Sequence, residues 1–216
     1  MSTKLYYFDG RGRAETIRVA LQEAGIEFED IGLTGPEFAA GKADGTLKLQ
    51  WGSVPYLQID GHDLVQSNAI LMYIGRKAGW NDGLSSIEQY NVENILFAAE
   101  DARNAAAKAI YGGSDADVEA FKTTVVPRKV AEFSAALGDN DFFANNKFSA
   151  ADISMYDMID SMSALIPGSL DGTPNLKAFV ERIATRPNIA AYIASPGRRA
   201  GPPAIDILRA AMAAKK

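Results

Sequence analysis

Val54-Pro55-Tyr56-Leu57-Gln58-Ile59-Asp60-Gly61-His62-Asp63-Leu64-Val65-Gln66-Ser67 decides how the first third of the chain folds. Val54, Tyr56, Leu57 and Ile59 make an apolar run, Asp60-Gly61 is a turn dipeptide, and Leu64-Val65 reads as the returning strand of a hairpin. Ser67 reads as the N-cap of a helix carrying Ile70, Tyr73 and Ile74, with Gly79 beyond its end. Upstream, Leu5-Tyr6-Tyr7-Phe8 is a short strand stopped by Asp9-Gly10. Ile17, Ala20, Leu21 and Ala24 then fall on one helical face, and Gly25 stands where that helix would end. Ile26-Glu27-Phe28 alternates like a second strand, and Pro36 to Gln50, holding Gly41 and Gly45, reads as loop with one short helix. The order β-α-β-(α)-β-β-α describes a small α/β domain over residues 1–78.

Residues 79–85, with Asn81-Asp82-Gly83, read as a linker, and 86–216 as an all-helical domain. Ile87 to Tyr111 is one long Ala-rich helix, broken by Gly112-Gly113-Ser114. Val118 to Leu137 reads as a second, with Pro127 a kink or break inside it. Phe148-Ser149-Ala150-Ala151-Asp152-Ile153 has the pattern of a capping box, Ser149 as N-cap and Asp152 as its partner, with Phe148 and Ile153 as the flanking staple. Pro174 to Thr185 and Pro187 to Ala194 are helices opened by proline. A last helix over 203–214 would end in Lys215-Lys216, cations that suit its negative end.

Composition narrows the chemistry. The 216 residues carry 22 Lys and Arg against 27 Asp and Glu, a net charge of −5, which argues against a generally basic nucleic-acid binder. With no Cys there is no disulfide framework, thiolate zinc site or Cys nucleophile. One His, His62, leaves no material for a Ser-His-Asp triad or a multi-histidine metal site; it reads as an exposed turn residue. No apolar run approaches the ~18 residues of a membrane span, and Met1 to Gly10 has no apolar signal region, so a soluble, cytoplasmic protein is expected.

Three segments together carry a family resemblance. Lys4-Leu5-Tyr6-Tyr7-Phe8 followed by Gly10-Arg11-Gly12-Arg13-Ala14-Glu15 resembles the N-terminus of cytosolic glutathione transferases of the tyrosine type (alpha, mu, pi, sigma). Val54-Pro55-Tyr56-Leu57, Asp60-Gly61 and Gln66-Ser67-Asn68-Ala69-Ile70 are similar to that family's glutathione-binding hairpin and helix start. Phe148 to Asp152 is similar to its buried helix cap. The resemblance implies an α/β thioredoxin-like N-terminal domain plus an all-α C-terminal domain, a homodimer, glutathione as co-substrate with no metal, and transfer of the glutathione thiolate to small hydrophobic electrophiles.

The chemistry behind that expectation is ionisation of a thiol. A free thiol has a pKa of ~8.5, and only the thiolate attacks. A hydroxyl that donates a hydrogen bond to sulfur favours the charged form. Adjacent strand residues face opposite sides, so only one of Tyr6 and Tyr7 can serve; the family pattern, with the active Tyr just before Phe8, selects Tyr7. By the same resemblance Arg13 supplies positive charge near the sulfur, whereas Arg11 and Arg18 read as solvated arginines at a helix start. Pro55 matches a cis-proline, and Val54, with Ser53 beside it, would exchange main-chain hydrogen bonds with the cysteinyl part of glutathione. Gln66 and Ser67, at a helix N-terminus, would hold the γ-glutamyl carboxylate. Asp101 would reach the amine of the partner subunit's glutathione. The glycyl end departs from the family: the expected Trp is absent, Phe38 stands in that region, and both Lys42 and Lys48 suit the glycyl carboxylate. Trp51 would anchor the dimer, and Phe8 and Tyr111 would line an electrophile pocket between the domains. Two other functions share these residues. One is a glutathione-dependent isomerase of the prostaglandin D synthase kind. The other is a non-catalytic relative like the lens crystallins, which intact Tyr7, Gln66 and Ser67 argue against.

Overall fold

The computed structural model describes residues 2–214, so Lys215-Lys216 lie outside the described residues. Two compact units are present, one of residues up to Asp82 together with Arg186–Ala200, the other of Gly83–Thr185 together with residues from Gly201 on. Residues 186–200 were expected within the 86–216 helical domain; they instead pack on the first unit, where Tyr192 and Arg198 bond the buried Glu15.

The first unit is built on four strands: β1 (Thr3–Phe8), β2 (Phe28–Leu33), β3 (Tyr56–Ile59) and β4 (His62–Val65), in the order β2-β1-β3-β4. β1 and β2 are parallel, joined through α1 (Glu15–Glu23); β3 runs antiparallel to both β1 and β4. Strand β2 starts at Phe28, not Ile26, because Ile26 is used to end the helix. Gly25, at φ +66°, donates to Gln22 and Ile26 donates to Leu21, a paired cap that satisfies the last carbonyls of α1. The stretch expected to be mostly loop contains α2 (Gly35–Asp44), a ten-residue helix capped by Thr34 and Glu37 in a reciprocal box. α3 (Ser67–Lys77) follows β4, and α1 packs on α3 and on α9 (Pro187–Ala194). Leu5, Ile17, Leu21, Leu57, Ile70, Leu71 and Ile74 are fully buried between these elements. Each such side chain contributes about 1.5–3 kcal/mol by leaving water.

The second unit is helical: α4 (Ser86–Ala107), α5 (Asp115–Ala120), α6 (Val126–Leu137), α7 (Ala150–Leu165), α8 (Pro174–Ala184) and α10 (Ile205–Ala213). The expected helix from Val118 to Leu137 is two helices joined by a π-helical turn, Phe121–Val125. Pro127 has no N–H, so it fits only the first turn of α6, and the ladder widens just before it. α7 is buried along most of its length and packs on α4 and α8. The capping box at its start forms as expected. Asp152 accepts from the N–H of Ser149 and of Phe143, both at 2.8 Å, and from the Ser149 hydroxyl at 3.2 Å. The bond to Phe143 holds that ring edge-on to Phe179 of α8, centroids 4.8 Å apart. Among the described residues no helix is long and apolar enough to cross a membrane.

Candidate functional site

The sheet register brings three separated segments to one end. Tyr6, Tyr56 and Val65 form a row across β1, β3 and β4. Because β3 runs against its neighbours, the chain continues from this row at one end of the sheet into Tyr7 of β1, Pro55 just before β3 and Gln66 just after β4. The tyrosine, the proline and the helix start therefore lie at the same end of the sheet though ~60 residues of chain separate them.

The two tyrosines have different surroundings. Tyr6 stacks on Tyr56 at 5.2 Å and gives its proton to Gln58 Oε1 at 3.1 Å. Tyr7 Oη accepts the backbone N–H of Arg13 at 3.2 Å, and its own proton has no acceptor among the described residues. That leaves one phenolic donor free for a ligand. Gly12 lies directly against this ring. It sits at φ +43°, and a Cβ there would come within 2.6 Å of Tyr7 Oη, so any larger residue displaces the phenol. Phe8, 39% exposed, meets Tyr7 on one side and Phe38 of α2 on the other, at centroid distances of 5.7 and 5.3 Å. Arg13 is half-buried in the short 3₁₀ turn Gly12–Ala14 ahead of α1.

Arg18 is not the solvated arginine expected from its place near a helix start. It is 1% exposed and bonds Asp30 Oδ2 at 3.0 Å and the carbonyls of Gly10 and Arg11 at 2.9 and 3.2 Å. Arg11 is half-buried as well, its Nε bonded to the Arg199 carbonyl at 3.0 Å. Asp30 and Arg199 are far along the chain, which is why spacing gave no sign of the network.

Val54 lies beyond the last β1–β3 pair, and the Val54-Pro55 bond is cis. Ser53 is exposed beside it. Lys42 of α2 reaches this loop, its ammonium 3.2 Å from the Gly52 carbonyl. Lys48 is occupied elsewhere, paired with Asp63 of β4 at 2.9 Å. Tyr56 donates to the same carboxylate, and that bond, with Lys48, holds Asp63 down to about 2. Trp51, at the preceding turn, is 65% exposed.

The N-cap of α3 is Gln66, not Ser67, which is the first helical residue and is buried. Gln66 sits at φ +72°, ψ +106°, backbone angles that side-chain-bearing residues rarely adopt. Its side chain caps none of the first N–H groups of α3, which carry the positive end of the helix dipole. Such an end takes a carboxylate, and the strain at Gln66 is of the kind found at binding sites. His62 is exposed as expected but opens β4.

On the second unit, Asp101 is exposed on α4. Ile87, Tyr90 and Phe97 lie along the same helical face and are each more than half exposed. Tyr111 is 72% exposed in the π-helical turn Lys108–Gly112 that follows α4.

Comparison with known proteins gives the same picture for both units. The family model described as glutathione S-transferase, N-terminal domain, matches residues 3–76, and that described as glutathione S-transferase, C-terminal domain, matches 100–196. Glutathione S-transferase Mu 1 of Oryctolagus cuniculus is 34% identical over 202 residues, covering 90% of this chain and 92% of the relative. The pi-class glutathione S-transferase of Onchocerca volvulus superposes with a TM-score of 0.81 at 29% identity, covering 89% of this chain and 92% of the other. Prostaglandin synthase D of Nilaparvata lugens superposes with a TM-score of 0.81 at 26% identity, covering 92% and 100%.

Proposed function

The chain belongs to the glutathione S-transferase family and is a glutathione transferase, and we propose that Tyr7 activates the glutathione sulfur for attack on small hydrophobic electrophiles. The observation that carries this reading is that Tyr7, Pro55 and Gln66 adjoin one row at the same end of the sheet, with one uncommitted phenolic proton on Tyr7. A phenol with a pKa of ~10 stays protonated at neutral pH, so it donates to sulfur instead of repelling it. Arg13 adds positive charge on the same side. The main chain of Val54, with Ser53, receives the cysteinyl part as an added strand would. Gln66, Ser67 and the α3 N-terminus take the γ-glutamyl carboxylate. Phe8 and Tyr111 each offer exposed aromatic surface for the electrophile.

Of the two lysines, Lys42 is the better partner for the glycyl carboxylate, because it already reaches the loop before Val54 while Lys48 is held by Asp63. Lys42→Met should raise KM for glutathione about five-fold, as expected for an exposed ion pair of about 1 kcal/mol. Lys48→Met should change it less than about two-fold, below the effect of an ordinary surface pair. Initial rates against glutathione concentration distinguish the two, and the reverse ranking would transfer the role to Lys48.

The exposed stripe Ile87, Tyr90, Phe97 and the exposed Trp51 support a homodimer in which Asp101 reaches the partner subunit's glutathione amine. We also place the protein in the cytoplasm, a compartment that suits a chain without cysteine. A second reading, glutathione-dependent isomerisation, is favoured by the likeness to prostaglandin synthase D.

The test is retention on immobilised glutathione, turnover of a chloronitrobenzene and of a cyclic endoperoxide, and the sedimenting mass. Retention with conjugation and a mass of two chains is expected. Isomerisation without conjugation would favour the second reading. Retention without either activity would leave a binding protein, and a single-chain mass would remove the dimer.

A further inference from the structure

The loop that carries Gly12 and Arg13 is held in place from the far end of the chain. Arg199 Nη1 bonds Asp9 Oδ1 at 2.6 Å, its Nε bonds Asp30 Oδ2 at 3.1 Å, and its Nη2 bonds the Asp30 carbonyl at 3.3 Å. Its own carbonyl accepts from Arg11 Nε at 3.0 Å. From the inner side Arg18 shares Asp30 Oδ2 and holds the carbonyls of Gly10 and Arg11. Arg198 bonds Glu15 Oε1 at 3.0 Å, and Glu15 Oε2 accepts from Tyr192 at 3.0 Å. Every residue from Asp9 to Arg11 is thus tied down by a side chain or by its own main chain. The next residue, Gly12, lies so close that a Cβ on it would come within 2.6 Å of Tyr7 Oη, and the one after it donates to that oxygen.

We infer that Arg199 is a positioning residue for the glutathione sulfur, acting through the Asp9–Arg13 loop on the Tyr7 phenol. The inference rests on the role proposed for Tyr7. A rigid phenol keeps its proton aimed at one point, and loosening the loop spreads that aim over several rotamers, so the hydrogen bond to sulfur weakens while the binding surface for the rest of glutathione remains. Arg199 touches neither the phenol nor the loop beyond Arg11 among the bonds described, and its effect is carried by main-chain position.

Charge alone makes a different prediction, and Asp9 separates the two. Arg199→Gln removes a positive charge and should raise the pKa of bound glutathione by either route. Asp9→Asn removes a negative charge, so Coulomb's law would lower that pKa, whereas the clasp predicts a rise. Asp9 is exposed, and its substitution leaves the buried network intact.

The experiment measures kcat/KM for a chloronitrobenzene against pH, the glutathione Kd and the melting temperature. The variants are Arg199→Gln, Asp9→Asn, Tyr7→Phe and the double variant Arg199→Gln/Tyr7→Phe, with Arg128→Gln on α6 as a surface control. Arg199→Gln should lose about ten-fold in kcat/KM and Asp9→Asn about three-fold, with the pH profile moved upward in both, glutathione Kd changed less than two-fold, and Arg128→Gln unchanged. In the Tyr7→Phe background Arg199→Gln should cost less than about two-fold, since residues that act through one another are not additive. An equal cost in both backgrounds, or a downward shift in Asp9→Asn, overturns the clasp. A Tyr7→Phe variant with full activity overturns the underlying reading instead. If Arg199→Gln does not fold, the direction of the shift in Asp9→Asn decides alone.

Discussion

Tyr7→Phe will lower kcat/KM for conjugation about 25-fold at neutral pH while the protein keeps its fold and most of its affinity for glutathione. The size follows from the ionisation it controls. A hydrogen bond that lowers a thiol pKa by ~2 from ~8.5 is worth about 2.7 kcal/mol, and losing it returns most of the bound sulfur to the unreactive thiol. Phe fills the same space against Gly12 and Phe8, so packing is preserved. The Arg13 N–H loses one acceptor in a half-buried position, a cost of about 1 kcal/mol. Tyr6→Phe is the matched comparison. Its hydroxyl is given to Gln58 on the other side of the strand, so it should leave the rate within about two-fold, the size expected of a substitution away from the reacting atoms. Steady-state rates and melting curves of the two variants check this, and a Tyr7→Phe rate within two-fold of wild type would remove Tyr7 from the chemistry.

Asp152→Ala will destabilise the helical unit by about 2–6 kcal/mol, as the following sum of orphaned donors indicates. Asp152 is fully buried and accepts from two backbone N–H groups and one hydroxyl. Burial pushes its carboxyl up to about 6 against the pull of those donors, so at neutral pH it is the ionised acceptor the box needs. Removing it orphans the N–H of Phe143 and of Ser149 away from water, about 1–3 kcal/mol each, the second of these being one half of the helix capping box. The damage also spreads to packing, because the Phe143 bond seats that ring on Phe179. Against a typical total of about 5–15 kcal/mol this loss is large. Asp152→Asn should fall between: one oxygen still accepts, but the amide nitrogen faces an N–H. Chemical denaturation of all three proteins measures the order, and equal midpoints for wild type and Asp152→Ala would refute the role of the box.

What the sequence disclosed was local. Asp60-Gly61 between two apolar pairs fixes a hairpin, Ser149 and Asp152 fix a helix start, and Gly25 fixes a helix end, each within a span of a few residues. The Thr34–Glu37 box ahead of α2 is just as local a signal, but Gly35, Gly41 and Gly45 in the same stretch point to loop. At Ile26 apolar alternation cannot tell a strand from a helix cap that uses an apolar residue. Gln66 took the N-cap position that Ser67 has the better side chain for, a case of tertiary context overriding propensity. Only the family resemblance ranks Tyr7 over Tyr6, since strand alternation separates the two without ranking them. The clasp was invisible for a plain reason: Arg199 and Asp30 are 169 residues apart, and Arg18 looks from spacing like any helix-start arginine. Nor does any periodicity announce that residues 186–200 return to the first unit.

The claim that the rest depends on is that the Tyr7 phenol holds the bound sulfur as a thiolate. Ultraviolet difference titration of glutathione on the protein reads that thiolate directly, without an electrophile. The account predicts a midpoint about two pH units below that of free glutathione for wild type and a return to within about half a unit of the free value, ~8.5, for Tyr7→Phe. The same midpoint in both proteins would contradict it.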